Sequence, residues 1–92
     1  MTAEQKERAL ELAQHTIGMD SRGLYTTHGI KVYVPYRNYF SLPRPEAIWE
    51  VMVQEGYAKR YDYKSGGCEY SMTPNGIQWM VNELKVNICL KY

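Results

Sequence analysis

The chain has 92 residues, of which 45% are hydrophobic and 13% are aromatic. This length allows one compact domain with a modest core. Its 11 basic and 10 acidic side chains leave a net charge of +1. The composition therefore excludes a strong overall attraction to nucleic acid or to an acidic membrane surface, so any nucleic-acid site would have to be a local patch.

The start of the chain is charged where a secretory signal would be apolar, and no stretch approaches the roughly 20 apolar residues of a membrane span. We therefore expect a cytoplasmic protein outside the membrane. The two cysteines, Cys68 and Cys89, are far apart in sequence. We expect them to be reduced, partly buried thiols rather than a disulfide.

The first helix is predicted over residues 3–17. Thr2 followed by Gln5 is a capping-box pattern, and Gly18 is a typical helix stop. The apolar spacing within it is typical of a helix that packs on one face.

Two short strands are predicted over residues 24–26 and 30–34, around a turn at His28 and Gly29. The residues expected to face inward are Ile30, Val32 and Val34. The next segment, YRNYF at residues 36–40, is too short for more than one helical turn.

We favour a structural corner for this YRNYF segment. Arg37 would stack on Tyr36 or Tyr39 or cap backbone carbonyls, and Asn38 would bond to the amides of its neighbours. The other interpretation is a recognition spot built from Arg37, Tyr39 and Trp49, because arginine and aromatic residues often anchor interfaces.

The second helix is predicted over residues 45–55, with Pro45 in the first position and Gly56 as the stop. Its apolar stripe is Ile48, Val51 and Met52, which leaves Trp49 as a half-exposed anchor. A tyrosine-rich hairpin follows at residues 57–72, with a turn at residues 64–67.

The third helix is predicted to begin at Pro74, after Thr73 as N-cap. Its stripe consists of Ile77, Met80, Val81 and Leu84. The alternation that follows predicts a terminal strand over residues 86–91. Together these elements predict an α+β fold in which residues 1–92 form one winged-helix-like domain, with three main helices and a small antiparallel sheet.

Residues 48–84 resemble the recognition helix, wing and closing helix of winged-helix regulators. The resemblance includes the join Y-x-x-T-x-x-G, here Tyr70, Thr73 and Gly76. It implies that the second helix would enter the major groove of DNA while the wing touches the backbone.

Nearly the whole chain also resembles a group of small phage and prophage proteins. The matching segments are HTIG at residues 15–18, YRNYF at residues 36–40, EGY at residues 55–57 and MTPNG at residues 72–76. This group has no established activity, so the resemblance implies an origin and a fold.

Charge on the second helix argues against DNA binding. Residues 44–56 contain one arginine and three glutamates, a net charge of −2, which disfavours an approach to phosphates. The hairpin is the better candidate for phosphate contacts, through Lys59, Arg60 and Lys64. We favour the interpretation that these charges protect exposed strand edges from pairing.

Tyrosine dominates the aromatic residues, with nine tyrosines against two tryptophans and one phenylalanine. Two interpretations stay open: cross-strand packing, or a protein-binding face. An exposed edge on the terminal strand, which reaches Tyr92, would allow pairing with a second copy, so we expect a homodimer.

Neither His15 nor His28 has a nearby carboxylate or nucleophile pattern, and the sequence lacks the close ligand pairs of structural zinc sites. We therefore predict no catalytic residues, no metal and no cofactor. The sequence favours a non-catalytic interaction or assembly module of phage or prophage origin. A winged-helix DNA-binding regulator is the alternative.

Overall fold

The computed structural model describes residues 1–19 and 23–89. It contains three helices, α1 (Ala3–Ile17), α2 (Ala47–Gln54) and α3 (Pro74–Leu84), and six strands. The strands are β1 (Leu24–Thr27), β2 (Ile30–Tyr33), β3 (Phe40–Leu42), β4 (Ala58–Asp62), β5 (Cys68–Met72) and β6 (Asn87–Ile88). The α+β class is thus confirmed.

The strands form two small sheets. Sheet A has the order β1-β2-β6, with β1 and β2 antiparallel and β6 parallel to β2. Sheet B has the order β3-β5-β4 and is antiparallel throughout. In sheet A the hairpin turns at His28 and Gly29, whose φ angles of 50° and 76° are both positive, as a two-residue type I′ turn requires.

Helix α1 has the predicted ends. The Thr2 side chain accepts from the backbone of Gln5 while the Gln5 side chain accepts from the backbone of Thr2, and Gly18 closes the helix in the left-handed conformation. Helix α3 also begins as predicted, with the Thr73 hydroxyl accepting from Gly76 N at 3.0 Å and Pro74 in the first turn.

Several predictions were wrong in detail. Strand β3 begins at Phe40, the last residue of the predicted corner, and extends to Leu42. Within the described residues β6 spans Asn87–Ile88, and residues 90 and 91 of the predicted terminal strand lie outside the described residues. Ile30, expected to face inward, is 52% exposed, because it lies at the tip of a hairpin. Cys68 is buried as expected, but Cys89 is exposed.

The core lies between sheet B and the three helices. Its buried residues are Ala9, Leu12, Ala13, Ile17, Trp49, Met52, Ala58, Cys68, Tyr70, Met72, Ile77, Trp79 and Met80. At its centre Tyr70 stacks on Trp49, with ring centroids 4.9 Å apart and an interplanar angle of 11°. A second stack joins Tyr57 and Trp79 at 4.5 Å.

We expect Gly76→Ala to destabilise the protein. A Cβ at this position would collide with the backbone carbonyl oxygen of Tyr57 and lie 2.8 Å from Met72 Cε. Overpacking of this kind costs about 1–3 kcal/mol, partly offset by the roughly 1 kcal/mol by which alanine favours a helix over glycine. Denaturant unfolding would measure the loss. Asn75→Ala, exposed in the same turn, is the control and should be nearly neutral; equal stabilities would contradict the predicted clash.

We also expect an alkaline loss of stability that depends on Tyr70. Burial, followed by the hydrogen bond to Glu50, raises the pKa of Tyr70 from 10.0 to about 12. Because the folded pKa is the higher one, this stabilisation is complete below about pH 10 and falls as the pH rises from 10 towards 12. Denaturant midpoints from pH 7 to 11 should fall more steeply for the wild type than for Tyr70→Phe. Parallel curves would show that Tyr70 does not cause the loss.

Candidate functional site

Sheet B has an inner face on the core and an outer face towards solvent. The inner residues of β5 are Cys68, Tyr70 and Met72, all buried, while Glu69 and Ser71 between them are half-buried and point the other way. Successive residues of a strand point to opposite faces, so this alternation separates the two surfaces.

The outer face collects the exposed tyrosines of sheet B. Ser41 and Tyr61 lie opposite Glu69, and Lys59 lies opposite Ser71. Tyr39 and Tyr63 continue the same alternation, two residues before Ser41 and two after Tyr61. We call this surface the tyrosine face; its residues are Tyr39, Ser41, Lys59, Tyr61, Tyr63, Glu69 and Ser71.

The tyrosine face combines exposure with order. Tyr39 is 54% exposed, Tyr61 63% and Tyr63 36%. The Tyr63 hydroxyl donates to Glu69 Oε1 at 2.8 Å and lies 3.2 Å from Ser41 Oγ, which holds this ring across the sheet. The Tyr61 and Tyr63 rings meet edge to face with centroids 5.7 Å apart. Aromatic rings held in this way provide contact area at a low cost in entropy.

Hydrogen bonds also change the acidity of Tyr63. The bond with Ser41 lowers the pKa of Tyr63, but the bond to Glu69 and the partial burial outweigh it, so that the pKa lies above its usual value. The protonated hydroxyl donates to Glu69 and orients its carboxylate.

Arg60 lies on the other side of β4 and belongs to the fold. It faces Tyr70 in the register and forms ion pairs with Glu50 and, at 3.1 Å, with Asp62. The Asp62 carboxylate, followed by that of Glu50, raises the pKa of Arg60. The role of Arg60 as a phosphate contact stays a prediction, and a phosphate would have to compete with these two carboxylates for its charge.

Of the predicted phosphate contacts, Lys59 and Lys64 are exposed, on the tyrosine face and in the hairpin turn. The surface of α2 has a different character. Ile48 and Val51 line a largely apolar groove of about 320 Å³, whose opposite wall in the first turns of α1 includes Glu4, Gln5 and Arg8.

The predicted recognition spot of Arg37, Tyr39 and Trp49 is not one surface. Arg37 donates from Nε and Nη2 to the carbonyl oxygen of His15, at 3.2 and 2.6 Å, and its guanidinium lies 5.4 Å from the centre of the Tyr36 ring. This confirms the capping interpretation. Tyr39 and Arg37 do share the wall of a recess of about 250 Å³ beside His15.

Trp49 is corrected from a half-exposed anchor to a core residue with no exposed surface. It packs between Phe40, at 5.6 Å, and Tyr70, and its Nε1 has no hydrogen-bond partner among the described residues. The buried residues of α2 are Trp49 and Met52. Met52 was predicted to face inward, whereas Ile48 and Val51 of the predicted stripe are only half-buried.

Asn38 joins the corner to β5 rather than to its neighbours. Its Oδ1 accepts from Met72 N at 2.8 Å and its Nδ2 donates to Met72 O at 2.9 Å. These two bonds fix the start of β3, and therefore the position of Tyr39 on the tyrosine face.

The remaining predictions concern single residues. Tyr92 lies outside the described residues. The His15 ring packs edge-on against Phe40 at 5.7 Å. Within residues 1–19 and 23–89 no group of three or more potential ligands is placed to hold a metal ion, and none of the helices described there is long and apolar enough to cross a membrane.

The chain matches no protein-family model, no curated protein and no solved structure. Its function therefore has to be inferred from the tyrosine face and the residues around it.

We expect no binding of a fluorescent DNA duplex at about 150 mM salt, because Arg60 is paired and α2 presents carboxylates and apolar groups. Fluorescence anisotropy between about 20 and 200 mM salt would measure this. Any weak binding at low salt should decrease in the double variant Lys59→Ala, Lys64→Ala. Tight binding at 150 mM salt that this variant loses would instead favour the DNA-binding regulator.

Proposed function

We propose that this protein is a non-catalytic interaction module that binds another protein through the tyrosine face. The observation that carries the proposal is the convergence of three exposed tyrosines on one side of sheet B, with one of them hydrogen-bonded across the strands. Tyrosine is enriched in protein interfaces, and serine beside it provides adaptable hydrogen bonds.

The proposal also covers the fold type, the origin, the location and the oligomeric state of the module. The order β3-α2-β4-β5-α3 supports a winged-helix-like arrangement, and the resemblance to phage and prophage proteins supports an origin of that kind. We propose that the module acts in the cytoplasm, as a homodimer. A winged-helix regulator is the alternative, and the ion pairs of Arg60 and the apolar groove on α2 weigh against it.

Photo-crosslinking in cells that naturally make the protein would test the proposal. A benzophenone side chain at position 61 should form a covalent adduct with one defined protein, identified by mass spectrometry. The matched control is position 25, because Tyr25 is similarly exposed, at 56%, but lies on β1 of sheet A. No adduct at position 61, or the same adducts from both positions, would contradict the proposal.

A further inference from the structure

We infer that the protein the tyrosine face fits is a second copy of this chain, packed face to face so that two sheets B form a six-stranded sandwich. This inference rests on the proposed function and names its partner. It also moves the expected dimer contact from the terminal strand to sheet B.

Charge is the first argument for a second copy. The tyrosine face carries one cation, Lys59, and one anion, Glu69, among uncharged residues. A surface with one charge of each sign is not directed at a basic or an acidic partner, but it can be complementary to itself under two-fold symmetry.

The strand register of sheet B shows which two-fold arrangement of the two copies keeps like charges apart. An axis parallel to the strands through β5 would place Glu69 against Glu69 of the second copy, which like-charge repulsion disfavours. An axis that crosses the strands between the Glu69 and Ser71 positions avoids this contact. This axis places Lys59 over Tyr61 of the second copy and diagonally beside its Glu69. Residues two positions apart along a strand are separated by about 7 Å, and neighbouring strands by about 4.8 Å, so both contacts are within reach of the Lys59 side chain.

The sandwich satisfies the groups that it covers. Lys59 would gain a carboxylate and the face of an aromatic ring, both favourable for a cation. Glu69 would keep its hydrogen bond from Tyr63 and gain the ammonium group. Ser71 would lie over Glu69 of the second copy and Tyr39 over its Ser41, so neither pairing places two like charges together.

The small area of the tyrosine face limits the stability of the dimer. The exposed parts of the three tyrosines amount to roughly 300 Å², taking about 200 Å² for a whole aromatic side chain. A standard interface buries about 800 Å² on each partner, so the tyrosine face makes a small interface even with its other residues. We therefore expect a reversible dimer with a Kd of roughly 10–1000 μM.

Sedimentation equilibrium of the purified protein, between about 10 μM and 1 mM, should show a monomer–dimer equilibrium. Tyr61→Ser should weaken the dimer at least about fivefold, whereas Tyr25→Ser, a matched change on sheet A, should leave its Kd within about twofold. A protein that is monomeric at 1 mM, or a dimer unaffected by Tyr61→Ser, would overturn the inference.

Charge reversal tests the specific pairing. Lys59→Glu and Glu69→Lys should each weaken the dimer, and the double variant should restore the wild-type Kd to within about twofold, because it recreates the pair with opposite signs. Glu69→Gln keeps an acceptor for Tyr63, so it should weaken the dimer only by the loss of the attraction between Lys59 and Glu69. A double variant as weak as the weaker single one would overturn the pairing, and thermal unfolding of every variant would check that the fold is retained.

The two proposals fail in different ways. A crosslink from position 61 to an unrelated protein, together with a monomer at 1 mM, would retain the interaction module and reject the second copy as its partner. A crosslinked product of twice the chain mass would support both, and no crosslink together with no dimer would reject both.

Discussion

The packing of Tyr70 against Trp49 and Glu50 is the constraint on which the rest of the structure depends. The Tyr70 ring stacks on Trp49, while its hydroxyl donates to Glu50 Oε2 at 2.7 Å and accepts from Glu46 N at 3.2 Å. One side chain of β5 thereby fixes both the position of α2 and the start of that helix. Because Glu50 also binds Arg60 of β4, three elements share one small network, and such networks stabilise a unique arrangement only when every member is paired.

This network also explains the difference between the two faces of sheet B. On the inner side, the acidic and basic groups of α2 and β4 pair with each other and with the Tyr70 hydroxyl. The outer face keeps uncharged hydroxyls, aromatic rings and one charge of each sign. Neighbouring residues of a strand point to opposite faces, so one strand can contribute some residues to the core and the others to the outer surface. Along β5, the residues that pack in the core therefore alternate with those of the tyrosine face.

Much of the fold could be predicted from the sequence, because its signals are local. The capping box at Thr2, the glycine at position 18 and the Thr73-Pro74 pair determine helix ends without any tertiary contact. The face of α2 could not be predicted in this way. Ile48, Trp49, Val51 and Met52 are all apolar, so periodicity cannot say which pair is buried, and the stack with Tyr70 decides it.

The candidate site was harder to predict because it depends on pairing between distant segments. Tyr39 and Tyr61 reach the same face only because β3 and β4 both pair with β5. The hydrogen bonds between Asn38 and Met72, 34 residues apart, hold the start of β3 there. A signal was present in the period of two at Tyr39 and Ser41 and at Lys59, Tyr61 and Tyr63. The sequence alone leaves the tyrosines open between cross-strand packing and a protein-binding face, and the charges of the hairpin fit a protected edge, because a short strand has little pattern of its own.

The parallel pairing of β6 with β2 has a consequence for the order of folding. Val32 pairs with Asn87, 55 positions further along the chain, and sheet A lacks its third strand until this pairing forms. Until then β1 and β2 form an isolated hairpin, which is marginally stable in water. Closing such a long loop delays this contact relative to local ones. We therefore expect the pairing of β6 with β2 to form after the local contacts and to open early, which leaves the β1–β2 hairpin with only its own contacts.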